Sequence, residues 1–175
     1  MPCLRRDKRR QECEQALEIL KTAVDIDSLC ELKPDEFEKY KDNLKDDTLK
    51  KRVRHVVYEN NRTIIAKKAL NSNNIVQFGR LMYASHESLK SLYEVSCKEL
   101  DVLVDLAKEF EGCIGARMTG GGFGGCMVSI VKKNQTAKFK QYISENYKKI
   151  TDREADIYIA KTGGVRYGRD VRREN

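Results

Sequence analysis

The sequence predicts an α+β fold, helical over its first two thirds and then turning to strands that alternate with helices. Three observations carry that expectation. Apolar residues recur at three- and four-residue steps up to about residue 110, a glycine-rich stretch at 115–125 interrupts the pattern, and two short β-rich runs follow it, separated by one more helical segment.

Taken in order, Cys13, Ala16, Leu17, Leu20 and Ala23 mark one face of an amphipathic helix over 9–23, with Glu, Gln and Lys on the other face. Asp25, Asp27 and Ser28 offer caps for a short turn through Leu32, and Pro34 suits the first turn of a short helix reaching Tyr40. Asp46, Asp47 and Thr48 precede a long helix to about Leu70, whose apolar stripe is Val53, Val56, Val57, Ile64, Ile65 and Ala69. The polar break 71–74 opens a further helix from Ile75, carrying Phe78, Leu81, Met82 and Leu89 on one side, so the two should form a hairpin. Ser96 and Glu99 stand in the S-x-x-E spacing of a capping box, which places Ser96 at the cap of a helix through Leu100, Leu103, Val104, Leu106 and Ala107 to Phe110, with Gly112 as its stop signal. Beyond the glycines, 126–131 and 156–160 read as strands and 136–147 as a helix, giving an antiparallel sheet with helices packed on it.

Composition removes several functions. With 40% apolar residues in 175, the chain is long enough for one sizeable core, and the visible seam lies near Lys45. The net charge of +7 comes largely from the two ends, Arg5 to Arg10 and Arg166 to Arg173. No basic stretch is interleaved with aromatics, so nucleic acid is not an expected partner. No apolar run approaches the ~18 residues that would span a bilayer, so no membrane partner is expected either. Cys3, Cys13, Cys30, Cys97, Cys113 and Cys126 form no CxxC pair and have no histidine at ligand spacing, so neither zinc nor any other metal site is expected in this chain. Nothing resembles a signal peptide, which points to reduced thiols and a cytoplasmic protein.

Chemistry concentrates in one stretch: Gly115, Ala116, Arg117, Met118, Thr119, Gly120, Gly121, Gly122, Phe123, Gly124 and Gly125, followed by Cys126. Six of those eleven residues are glycine, out of eleven glycines in the whole chain, and each one adds backbone entropy that folding must remove. A tight bend needs one or two. The excess favours a loop whose backbone comes close to a ligand or to another loop, a phosphate being the usual anion for successive exposed N–H groups. It is no Walker A loop, because no G-K-[ST] ends it.

The wording G-x-R-M-T-G-G-G-F-G-G-C resembles the third signature motif of the GHMP small-molecule kinases, and within them the galactokinase family most closely. Three further segments fit in the same order: Arg9-Arg10-Gln11-Glu12-Cys13, Phe78-Gly79-Arg80-Leu81-Met82 with Ser85-His86, and Tyr93 to Asp101 as Y-x-V-S-C-x-E-L-D. The resemblance implies a ferredoxin-like α+β C-terminal domain over 46–175, with 1–45 a helical segment bridging to an N-terminal domain that these 175 residues do not include. It implies Mg-ATP as cofactor and galactose as acceptor in the complete enzyme, and a cleft position for the stretch from Gly115 to Gly125, with Thr119 a possible hydroxyl contact. The family's catalytic aspartate, sugar-binding motif and serine-rich ATP loop have no counterpart in the chain, so no catalytic residue is assigned in it and the chain alone is expected to be inactive. Arg6 stands where the family usually has a sugar-contacting tyrosine.

Other residues have plainer readings. Ser96, Glu99 and Asp101 are expected to be structural, Arg54, His55 and His86 to be surface or packing residues with no carboxylate orienting either ring, and Cys97, Cys113 and Cys126 to be small buried hydrophobes. Two alternatives stay open: a non-catalytic interaction or regulatory protein, and a kinase of the same superfamily acting on another small alcohol.

Overall fold

The computed structural model describes residues 2–160, with side chains from residue 7 onward. Helix α1 spans Pro2–Lys21 and starts seven residues earlier than the apolar periodicity alone suggests. The extra turns contain no glycine, Pro2 suits a first turn, and Arg10 pairs with Glu14 one turn on at 2.7 Å. Ala16 and Leu20 are fully buried. Ser28 accepts a hydrogen bond from the Cys30 N–H and caps a single 3-10 turn, Leu29–Glu31. Pro34 opens α2 (Pro34–Tyr40), where the Lys33 N–H donates to Glu36 Oε2 at 2.9 Å.

Helix α3 (Asp47–Asn71) is capped by Asp46, whose carboxylate accepts from the Thr48 N–H at 2.6 Å. That bond, with the Thr48 hydroxyl, holds the Asp46 carboxyl below its usual range. Leu20, Leu29, Leu32, Phe37, Leu44, Leu49, Val53 and Val57 form one core between α1, the short turns and the first half of α3. The expected stripe fails farther along, where Ile64 is half exposed. Asn74 caps α4 (Ile75–Ser91) by accepting from the Gln77 N–H, and α3 and α4 pack as the expected hairpin.

Helix α5 covers Lys98–Glu109 and corrects the capping expectation. Cys97, not Ser96, stands at the N-cap, and the Ser96 hydroxyl donates instead to Asp101 Oδ1 at 2.6 Å. A carboxylate within reach is a stronger acceptor for that hydroxyl than the helix N–H groups are as donors. Gly112 is likewise no left-handed stop: its backbone φ is not positive, and a Cβ there would lie 2.6 Å from the Phe110 ring and 2.8 Å from Gln135 Cβ. Glycine at 112 serves close packing.

Strands β1 (Cys113–Thr119) and β2 (Cys126–Val131) pair antiparallel, Ala116 opposite Ser129 and Thr119 opposite Cys126. Helix α6 spans Thr136–Thr151, and Asp152 ends it in the left-handed region at φ 55°. Val104, Leu106, Ala107, Ala116, Phe139, Ile143 and Tyr147 make a second core between α5, α6 and one face of the sheet. The expected strand at 156–160 is not a strand among the described residues. Ile157 packs against the second core, but Tyr158 is 87% exposed and the segment joins no ladder, which a strand requires to satisfy its backbone groups.

Candidate functional site

The stretch 115–125 is not one loop. Its first half is β1, because Ala116 and Met118 alternate with Arg117 and Thr119 and are fully buried, at 0% and 1% exposure. Gly115 belongs to that strand and permits contact with α4: a Cβ on Gly115 would lie 2.4 Å from Gly79 Cα, and one on Gly79 would lie 2.0 Å from the Ile114 carbonyl oxygen. The loop proper is therefore shorter, 120–125. Within it Gly120, Gly122, Phe123 and Gly124 have φ of 90°, 78°, 58° and 102°, so the backbone repeatedly enters the region that glycine tolerates best.

These positions differ in what surrounds them. A Cβ on Gly122 would approach the Val95 carbonyl oxygen to 2.5 Å, and next to it the Phe123 N–H donates to that same oxygen at 2.8 Å. The Phe123 ring packs on Val95, Leu100 and Met118, which anchors a non-glycine residue in a left-handed conformation. At Gly120 and Gly124 an added Cβ would meet nothing within 4 Å. The loop is clamped at its middle and open on both sides, so its exposed backbone can come close to a ligand. Gly121 and Gly125 lie exposed beside these open positions.

The strand leading into the loop is held from α4. The Met118 N–H donates to His86 Nδ1 at 3.3 Å, and His86 Nε2 lies 3.3 Å from Asp101 Oδ1, near enough for charge contact but outside hydrogen-bond alignment. Asp101 also receives the Ser96 hydroxyl and has the Lys90 ammonium 3.3 Å away. Burial lowers the His86 pKa, with Asp101 opposing. A carboxylate thus faces His86, a juxtaposition that residue spacing could not reveal. On the other sheet face Arg117 reaches Glu59 at 3.3 Å, and Glu59 also meets Arg62 and the Ser85 hydroxyl. These side chains and exposed Thr119 border a cavity of about 430 Å³ between α3, α4 and the sheet, with Phe78, Met82 and Ile130 on its apolar side. Glu59 was invisible to sequence reading, since no local pattern marks it.

His55 is buried on α3, stacked on Tyr93 at 4.4 Å, with Nδ1 2.8 Å from Ser88 Oγ. Burial pushes its pKa down to about 4. The ordinary imidazole value is about 6.5, so as pH falls through 6.5 the unfolded chain takes a proton that the folded chain refuses until about 4; stability falls across that window, by about 3 kcal/mol in all. Urea midpoints measured from neutral pH down to pH about 4 should decline more steeply in the wild type than in His55→Gln, which retains a polar partner for Ser88. Arg54 lies over the Tyr58 ring at 5.4 Å, and Glu99 pairs with Arg153 at 3.2 Å. Cys97 and Cys113 are half-buried, but Cys126 is exposed, contrary to expectation, because it faces out where β2 leaves the loop. The side chains of Cys3 and Arg6, and the basic run 166–173, lie outside the described residues. Among the described residues no group of three or more His, Cys, Asp or Glu is placed to hold a metal ion, and no helix is long and apolar enough to cross a membrane.

Residues 66–149 match the family described as GHMP kinases C terminal. The galactokinase of Lactococcus lactis subsp. cremoris (strain MG1363) is 45% identical over 157 residues, which cover 90% of this chain and 39% of that protein. The galactokinase of Bacillus subtilis (strain 168) is 46% identical over 155 residues, covering 89% of this chain and 40% of that protein. The crystal structure of Lactococcus lactis galactokinase complexed with galactose superposes with a TM-score of 0.88 at 43% identity, over 91% of this chain and 41% of that one. Over residues 66–149 this chain is thus similar to the C-terminal domain of GHMP kinases. The superposition also bears out the α+β fold class, with helices packed on an antiparallel sheet. The chain spans about 40% of the length of the galactokinases it matches. The groups that hold the loop 120–125 and the strand before it, Val95 and His86, lie in the segments Tyr93 to Asp101 and Ser85-His86, as does Asp101 beside the His86 ring.

Proposed function

We propose that this chain is the C-terminal part of a galactokinase and contributes the glycine-rich loop to ATP-dependent phosphorylation of galactose, giving galactose 1-phosphate. The observation that carries the reading is the loop: three left-handed glycines, a middle held on Val95, and open space at Gly120 and Gly124, in a chain about 45% identical to galactokinases. Phosphoryl transfer asks the protein mainly for placement and charge stabilisation, and an exposed backbone of this kind can form one wall beside a phosphate.

Bound Mg-ATP would supply the transferred phosphoryl group and the metal charge that neutralises it. The loop backbone fits approach to the nucleotide's phosphates. The described residues offer no metal-binding cluster, so the ligands to magnesium and the catalytic base would come from the N-terminal part of the enzyme. In the same reading residues 1–45 bridge to that part, 46–175 form the C-terminal domain, and the assembled enzyme is cytoplasmic.

The test is reconstitution. The chain alone, given Mg-ATP and galactose, is expected to make no galactose 1-phosphate, whereas fusion to a matching galactokinase N-terminal part should restore turnover. Robust turnover by the chain alone, or a fusion that phosphorylates another small alcohol and not galactose, would overturn the assignment.

A further inference from the structure

We infer that His86 is a positioning residue for the glycine loop, holding strand β1 in register through the Met118 amide and able to do so only with Nδ1 unprotonated. The inference deepens the reading of the loop as a phosphate-approaching wall and rests on it for its catalytic consequence.

The geometry supports this in three steps. First, the loop is attached at two places: the Phe123 N–H to the Val95 carbonyl at 2.8 Å, and the incoming strand through the Met118 N–H to His86 Nδ1 at 3.3 Å. Met118 is one residue from Thr119 and two from Gly120, so this second attachment fixes where the chain leaves the sheet. Second, the bond fixes the tautomer. A nitrogen that accepts an N–H carries no proton, so the ring hydrogen of neutral His86 sits on Nε2, the nitrogen 3.3 Å from Asp101 Oδ1. Third, the ring is 4% exposed, so water cannot replace Met118 as a partner.

Protonation of Nδ1 would set two donors against each other, His86 Nδ1–H and Met118 N–H, and the strand would lose that attachment while Val95 kept its own. The charged groups that bear on the ring come from both helices packed around it. Glu87 and Lys90 lie on α4, and Asp101 and Asp105 lie on α5. Asp101 and its neighbouring acids favour the imidazolium, while burial and Lys90 oppose it, and burial is the larger. From β1 the contact is the Met118 amide itself.

The deciding experiment is nitrogen-15 NMR on the chain with two substitutions. His86→Asn retains an acceptor near the position of Nδ1 but has no titration, and His86→Leu removes the acceptor. Wild type should show the Nε2–H tautomer at neutral pH, and the hydrogen-exchange protection of the Met118 amide should fall at least about fivefold on acidification through the range where the nitrogen-15 shifts report protonation of Nδ1. His86→Asn should keep that protection across the same range, and His86→Leu should lack it throughout. An Nδ1–H tautomer in the wild type would overturn the proposal even if His86→Leu fails to fold. So would Met118 protection that is indifferent to both pH and the Leu substitution.

In the fused enzyme, His86→Leu should lower kcat with little change in the galactose KM, and His86→Asn should restore it while flattening the acid limb of the pH profile. If the fusion fails to phosphorylate galactose while the Met118 amide behaves as described, the substrate assignment falls and the positioning role stands.

Discussion

A Gly79→Ala variant should lose about 3 kcal/mol of stability, although the same exchange inside an exposed helix would gain about 1 kcal/mol. The sign reverses because of what lies against the helix. An added Cβ would sit 2.0 Å from the Ile114 carbonyl oxygen and 2.6 Å from its carbon, and both are backbone atoms that cannot rotate away. The contact is reciprocal, since Gly115 across the interface has Gly79 Cα 2.4 Å from its own absent Cβ. Helix and strand meet backbone to backbone, and relief requires α4 to move off β1. That movement would carry Met82, Ser85 and His86 with it, so the Met118 attachment and the cavity border would be disturbed together. Urea denaturation of Gly79→Ala and Gly115→Ala should give lowered midpoints of similar size. An unchanged midpoint for either would mean that the close approach is not sustained in solution.

The pair Gly79 and Gly115 also shows where sequence reading stops. Gly115 reads as part of a ligand loop because glycines crowd behind it, yet its neighbours Ala116 and Met118 alternate inward and make it a strand residue. Helices α2, α3 and α4 are legible from Pro34 in the first turn of α2 and from the capping residues before α3 and α4, because such signals and a 3.6-residue stripe are local. Ser96 misled for the same reason. The capping-box spacing is local, while Asp101, five residues on, offers the hydroxyl a better partner once the helix has formed. Segment 156–160 has strand composition, but a strand also needs a ladder partner, and this segment joins none in the two-stranded sheet, which composition does not report. The contacts that shape the site span 26 residues from Glu59 to Ser85, 58 from Glu59 to Arg117 and 32 from His86 to Met118. None leaves a trace in residue spacing, so the motif wording located the loop while the structure alone revealed what holds it.

Arg52 is the strongest case of such a hidden centre, and its replacement should be the most damaging single change to the helical half. The side chain is 1% exposed and uses all of its guanidinium: Nε donates to Glu12 Oε2 at 2.6 Å, one terminal nitrogen to Glu94 Oε2 at 2.7 Å, and the other to the Leu92 carbonyl. It therefore ties α1, α3 and the turn after α4 together, and that turn leads directly to Val95, on which the glycine loop is clamped. Glu94 itself adopts a left-handed backbone at φ 56°, which its ion pair helps to hold. Burial tends to raise the Glu12 pKa, but hydrogen bonds from Arg52 and Arg9 outweigh it and keep the carboxyl below its usual range. Arg52→Met leaves that carboxylate largely buried with Arg9 as its remaining partner, at a cost of about 3–5 kcal/mol. Arg52→Lys should recover only part of the loss, because an ammonium cannot present the planar fork that meets two carboxylates and a carbonyl at once. A further substitution separates a lost network from a lost shape: Glu12→Gln in the Arg52→Met background removes the stranded charge and should restore part of the urea midpoint. If Arg52→Met alone unfolds no earlier than the wild type, the buried ion network contributes nothing net, and the junction of α1, α3 and the Val95 turn is held by its apolar packing instead.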